Sequence, residues 1–331
     1  MTPFSAWSSA GAIPTHRGWS EQALLSLLWG DHASPLETRW ASLFRDLTKL
    51  GPQHIVASNQ VGALGIYAPM SWLHGDRNGG RIGTTGVDID LDFQRIGAAF
   101  ATGAPRSGVL PASVRLFDKY GDALLTLAQG PHVDPAAFRD FVARHTRLAP
   151  SPLPTVAHPE GTSPVDRPSI TTLDAALEAW SDLADRRGLE DILTSHGVNR
   201  EELYTAAEND VASPIAPRDI VELLRWMVSQ KAPMAFQVGR TGVVVVARVI
   251  PDEVAVTAHG VELCGSAAVL RLDPRRLNNA WLVKTETESG VQRSIEFLDE
   301  AGELAVCLGG AEQSVAAGVS GWTRQPFRPG A

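Results

Sequence analysis

Cysteine is nearly absent from this chain: Cys264 and Cys307 are the only two among 331 residues. Two thiols cannot build the usual structural zinc site, which takes four protein ligands, and no CxxC pair is present. Both lie in apolar, strand-like stretches. A disulfide between them is open, and buried free thiols of a cytoplasmic protein are the expectation. Long apolar runs are missing too. Even a run such as Val243 to Ala247 is far shorter than the ~20 residues a membrane helix needs, so membrane insertion is not expected. The opening residues, Met1 to Thr15, lack the basic start and apolar core of a secretory signal. Neither terminus has a lysine- or arginine-rich run, and the net charge is −8, so no nucleic-acid surface is expected. There is no GxSxG or HExxH. The glycines Gly79, Gly80, Gly83 and Gly86 do not join a strand to a helix as a nucleotide-binding loop must.

What is present is ordinary globular composition, 44% hydrophobic and 20% charged, in a chain long enough for two cores. A repeat organises it. Ser113 to Leu127 reads SVRLFDKYGDALLTL, and Ser294 to Leu308 reads SIEFLDEAGELAVCL. At an offset of 181, Ser113/Ser294, Asp118/Asp299, Gly121/Gly302 and Leu127/Leu308 coincide. Each copy predicts strand, tight turn, strand, with glycine where a hairpin needs positive φ. Upstream, Ala41 to Gly62 lies over Val221 to Gly242 at an offset of 180, so Leu43 meets Leu223 and Gly62 meets Gly242. A repeat of this length is a duplicated domain, not a solenoid, and the seam between such halves is a natural place for a ligand.

Apolar spacings of three and four predict helices over Glu21 to Leu28 and Thr38 to Leu50. Further helices are predicted over Pro135 to His145, over Leu173 to Arg187 with Thr172 or Asp174 as cap, from Asn199, and over Pro217 to Gln230. Asn199 with Glu202 forms a capping-box pattern. His54 to Ala68 reads as two strands about a turn near Gly62, and His74 to Gly86 as a polar, glycine-rich connection. Val87 to Phe93 alternates, putting Asp88, Asp90 and Asp92 on one face. Prolines 150, 152, 154, 159, 164 and 168 mark a linker. The expected organisation is a first half over 1–146, a linker over 147–170 and a second half over 171–331. Helices grouped ahead of strands give an α+β class, each half a large antiparallel sheet with helices alongside and a ligand cleft between the halves.

Several stretches are similar to the bacterial haem-utilisation family of the HemS/ChuS type. Ala179 to Asp185 with Val198 to Leu203 resembles its helix pair ahead of the second sheet. Phe236 to Gly242 resembles its first hairpin, and Ala280 to Thr285 with Ser294 to Leu304 resembles its W-[IV]-x-[RK]-[KR] and S-[LV]-E-x-F-D segments. In the first half, Asp90-Leu91 and Ser113 to Asp122 match the equivalent pattern. The resemblance implies tandem halves, haem held between them, and either haem carriage or oxygen-dependent degradation in the cytoplasm. It also implies an imidazole donor to iron and cations for the propionates.

The haem contacts are where the chain departs from the family. Arg187 stands at the position of the axial histidine, and a guanidinium is a poor iron ligand. Asp92 replaces an arginine after Asp90-Leu91. Val306, Leu308 and Ala311 replace a Q-x-Y-x-x-R run. Lys284 keeps its type. The candidate site residues are therefore Lys284, His196 and Arg187 for haem or another small anionic or apolar ligand, with His196, before Gly197, as the candidate metal donor. His196 also has the ordinary role of a histidine at a helix C-terminus. His74, His259 and the row Asp88, Asp90, Asp92 have ordinary turn or solvated-edge roles. The alternative function is a diverged member that has lost haem and binds or transforms another small molecule in the cleft. A weaker one is a non-catalytic partner protein.

Overall fold

The computed structural model describes residues 33–84, 86–103, 112–147, 170–182, 189–207, 211–240, 242–258, 260–276, 279–287 and 290–309. The predicted helix over Glu21 to Leu28, most of the proline-rich linker, His259 and Ala311 lie outside them. The first half contributes β1 (Ala33–Pro35), α1 (Trp40–Leu47), β2 (Gln53–Ser58), β3 (Gly62–Ala68), β4 (Ser71–Gly75), β5 (Gly79–Thr84), β6 (Val87–Asp92), β7 (Ile96–Thr102), β8 (Ser113–Asp118), β9 (Ala123–Gln129) and α2 (Pro135–His145). The second half opens with α3 (Ile170–Ser181), α4 (Leu189–His196) and α5 (Arg200–Ala206). Then come β10 (Ala212–Ile215), α6 (Pro217–Ser229), β11 (Met234–Arg240), β12 (Val243–Val249), β13 (Pro251–Thr257), β14 (Gly260–Gly265), β15 (Ala268–Leu272), β16 (Ala280–Thr287), β17 (Gly290–Leu298) and β18 (Leu304–Gly309).

Two nine-stranded antiparallel sheets result, and neither belongs to one half. The first runs β1-β7-β8-β9-β2-β3-β15-β14-β13, the second β10-β16-β17-β18-β11-β12-β6-β5-β4. Each half lends three strands to the other's sheet, across the β3–β15 and β12–β6 pairs. The exchange is symmetric in detail. The Asp92 amide donates to the Gly242 carbonyl at 2.9 Å, and the Asp273 amide donates to the Val61 carbonyl at 2.8 Å. The Asn59 side-chain amide donates to the carbonyls of Gly239 and Ala305, at 3.0 and 2.7 Å. Arg240 reaches Asp122 at 3.0 Å. One apolar cluster spans both sheets together with α1, α2 and α6, including Phe44, Ile55, Leu64, Ile89, Leu127, Leu224, Phe236, Val245 and Phe297.

The repeated hairpins form as their sequences predict. Asp118 Oδ1 accepts from the amides of Tyr120 and Asp122, and Asp299 Oδ1 from those of Ala301 and Glu303. Gly121 and Gly302 sit at φ 91° and 77°. The structure corrects the upstream register. Helices align as expected, with Leu43 and Leu223 both buried. The next strands begin at Gln53 and Met234, and β3 and β12 begin at Gly62 and Val243, so Val243 and not Gly242 is the counterpart of Gly62. The extra residue enters where Gly51-Pro52 becomes Lys231-Ala232-Pro233.

The stretch from His74 also differs from expectation, being paired strand. Its glycines serve packing: a Cβ on Gly75 or Gly80 would fall 2.5 or 2.6 Å from the Trp72 ring. That indole has the Arg45 guanidinium over it at 5.8 Å. Cys264 on β14 and Cys307 on β18 are free thiols in different sheets; burial, with Glu262 and Glu253 nearby, pushes the Cys264 thiol up.

Candidate functional site

The pleat gives every strand two faces. In the second sheet, Ile295, Phe297, Val306, Leu308, Phe236, Val238, Val243 and Val245 enter the shared core. The opposite face carries a row in register: Trp281, Glu296, Cys307, Gln237, Val246 and Asp88, one from each of β16, β17, β18, β11, β12 and β6. Both halves supply this face. One end of it is roofed by α3, α4 and α5, whose Ala176, Trp180, Leu189, Leu193 and Leu203 pack on Trp281, Val283 and Leu298, together with Val198 from the α4–α5 connection. Tyr204 lies between two indoles, 5.5 Å from Trp180 and 5.7 Å from Trp281 between ring centroids.

Beneath that roof sits a buried ionic network. Glu296 is 0% exposed and Arg200 3%. Tyr204 Oη donates to Glu296 Oε2 at 2.7 Å, Arg200 Nη1 donates to Tyr204 Oη at 2.9 Å and reaches Glu296 Oε2 at 3.4 Å. Ser294 Oγ donates to the other Glu296 oxygen at 3.2 Å. The second guanidinium nitrogen pairs with Glu190, at the start of α4. Burial, with Glu190 close by, holds the carboxyl of Glu303 above the usual range, against the pull of Arg200. Asn199 caps α5 in the expected capping box with Glu202.

Away from that roof, the face is polar. Arg248 pairs with Asp88 at 2.7 Å, and Arg81 stands 3.4 Å from both Asp88 and Asp90. Of these, Arg81 and Asp90 line an open cleft of about 610 Å³ together with His74, Asp76, Asp92 and Val244 among others.

The sequence-derived candidates are distributed as follows. His196 ends α4, half-buried, one turn beyond the buried Ile192 and Leu193 and next to Gly197 at φ 64°. Lys284 lies opposite Arg293 in the β16–β17 register, and strand alternation sets it with Leu282, on the face away from Trp281 and Val283. The structure therefore does not bring Lys284 and His196 to one face. Arg187 lies outside the described residues. Val306 and Leu308 are core residues; the positions on the roofed face are Cys307 and Gly309. Arg200, Tyr204 and Glu296 were not singled out from sequence. The S-x-E pattern at Ser294 was the available signal, since a carboxylate in an apolar strand demands partners.

Two interlocked antiparallel sheets built from two similar halves, with helices over one face, define a tandem-repeat α+β protein. The family described as "Haemin-degrading HemS.ChuX domain" matches residues 18–145 and again 197–323, and the chain belongs to that family. The hemin transport protein HmuS of Yersinia pestis is 22% identical over 306 residues, 90% of this chain and 86% of HmuS. The hemin transport protein HemS of Yersinia enterocolitica is 23% identical over 228 residues, 67% of this chain but only 64% of HemS. Among solved structures, the heme-binding protein PhuS of Pseudomonas aeruginosa in its holo form superposes with a TM-score of 0.80, at 21% identity, covering 89% of this chain and 86% of PhuS. The heme degrading enzyme ChuS of Escherichia coli O157:H7 has a TM-score of 0.80 at 17% identity, covering 91% and 90%. At these identities the structures show the shared fold.

Proposed function

We propose that this chain is a cytoplasmic haem-binding protein of haem trafficking or haem degradation, with its ligand on the roofed face of the second sheet. Family membership of both halves supports the ligand class. The observation that carries the site is His196, a half-buried imidazole at the edge of the helical roof over a face to which both halves contribute. Among the described residues no cluster of three or more histidine, cysteine or acidic side chains is placed to hold a metal ion. Haem would bring most of its iron's donors with the macrocycle, so one imidazole from the chain would suffice. His196 is thus the residue of this chain that would donate to haem iron. Among the described residues the carboxylate side is less well supplied: Arg81 and Arg248 are engaged by Asp88 and Asp90, and Lys284 faces the other way. Arg187 remains the proposed partner of a haem carboxylate.

Haem, when bound, would supply the redox chemistry; the chain would donate the His196 imidazole, bury the macrocycle against apolar side chains and limit water with the α3–α5 roof. Among the described residues no helix is long and apolar enough to cross a membrane. The test is titration of the purified protein with hemin, following the Soret band. A saturable shift that is lost in His196→Ala is the expected result, and absence of a saturable shift in the unaltered protein overturns the reading. The Asp–Arg ladder favours a second reading, a ligand less anionic than haem at that edge. A thermal-shift screen against small metabolites tests it, because a ligand that binds only the folded state raises its stability.

A further inference from the structure

We propose that Arg200, Tyr204 and Glu296 form a positioning clamp that sets where the His196 imidazole points, a role that rests on the haem reading above. His196 ends α4, which is joined to α5 by only three residues, Gly197, Val198 and Asn199. Arg200 touches all three bodies whose relative placement fixes that bend. It pairs with Glu190 in the first turn of α4, hydrogen-bonds Tyr204 on its own helix α5, and reaches Glu296 on β17. Val198 is buried below the bend, and its amide donates to the Leu193 carbonyl at 3.1 Å. The helix carrying His196 is thus tied at its start by the guanidinium and at its end by the bend.

Stability alone is a poor account of this network. Buried ion pairs pay heavily in desolvation, and apolar side chains of similar volume often serve stability equally well. What charged, hydrogen-bonded groups add is one geometry among several apolar packings of similar energy. The first half makes the point: Arg115 occupies the position matching Glu296, also buried, so the carboxylate is not a requirement of the repeated sheet. A carboxylate stands here in the half whose helices bear the candidate donor.

The test pairs a haem-free measurement with hemin titration. Arg200→Met with Glu296→Met removes both charges and keeps the volume. In the apo protein, the rate at which diethyl pyrocarbonate modifies His196, read by peptide mass spectrometry, is expected to change severalfold from that of the unaltered protein. The hemin dissociation constant is expected to rise about tenfold, in the range seen when the outer partners of metal ligands are lost, with circular dichroism and thermal midpoint close to the parent. A folded double variant with unchanged His196 modification rate and unchanged hemin affinity overturns the clamp. If the double variant does not fold, Tyr204→Phe, which removes one hydroxyl, is put through both measurements with the same two outcomes. The modification rate needs no haem, so the clamp is judged even where the unaltered protein fails to bind hemin; that failure counts against the haem reading alone.

Discussion

At the scale of single residues, the network under the roof and the α1–α2 contact show what charge does at two depths. Removing Arg200 alone leaves Glu296 charged and fully buried, and breaking such a pair typically costs about 3–5 kcal/mol. Arg200→Ala is therefore expected to lower the free energy of unfolding in urea by that amount, whereas the paired methionine variant stays within ~1 kcal/mol of the parent. Asp46 lies shallower. Its hydrogen bond from Lys49 at 2.8 Å holds its carboxyl below the ordinary 3.8 despite some burial, helped by His145 at 3.0 Å and by Arg144. Folding thus favours the charged form. Its contribution is complete above about pH 4 and is lost as pH falls through the lowered folded value. Solvent screening limits that contribution to under about 1 kcal/mol. Asp46→Asn should accordingly unfold earlier than the parent in urea at pH 7, with the two curves converging near pH 2; a gap that persists there would assign the loss to packing instead.

At the scale of elements, comparing the halves exposes strain that one copy avoids. Gly51 holds φ 96°, and at the matching turn Lys231 is forced to φ 49°, the only non-glycine residue with positive φ among the described residues. Left-handed backbone costs a side-chain-bearing residue about 1 kcal/mol or more, part of which glycine gives back in unfolded-state entropy. Lys231→Gly is thus expected to stabilise the protein by a few tenths to ~1 kcal/mol, measurable as a higher urea midpoint at unchanged slope. The elements themselves were largely legible in the sequence. Pro135 to His145 forms α2 with the predicted bounds, and the Asn199 capping box is made at both hydrogen bonds, because such signals are local. His74 to Gly86 was not legible as strand: its glycines yield space to Trp72, a partner that sequence spacing does not show. Lys284 was legible in type but not in direction. Its facing follows only once Trp281 is known to pack beneath α5, which takes a tertiary contact to establish.

At the scale of the whole molecule, the two halves seen in sequence are units of descent and not independent bodies. The pairing of β3 with β15 and of β6 with β12 uses the same alternating apolar residues that pairing within a half would use. Nothing local in the sequence distinguishes the two, which is why the repeat was visible and the exchange was not. The exchange has a thermodynamic consequence. A lone first half would carry β4–β6 as an arm without its sheet and expose the edge of β3, while Ile82, Ile89 and Leu91 would lose the core they enter from both halves. Unpaired edges and apolar strands of that kind associate instead of remaining soluble and folded. Fragments covering 1–147 and 170–331 are therefore expected to be largely unstructured or aggregated when made separately. When refolded together from urea, they should recover the far-ultraviolet circular dichroism spectrum and a single cooperative unfolding transition. The roofed face obeys the same logic, since Asp88, Asp90 and Arg81 reach it only on the exchanged arm. A second-half fragment that folded alone with a sharp transition would show that the arms are accessories; failure of each fragment with success of the mixture is the outcome the interlocked sheets require.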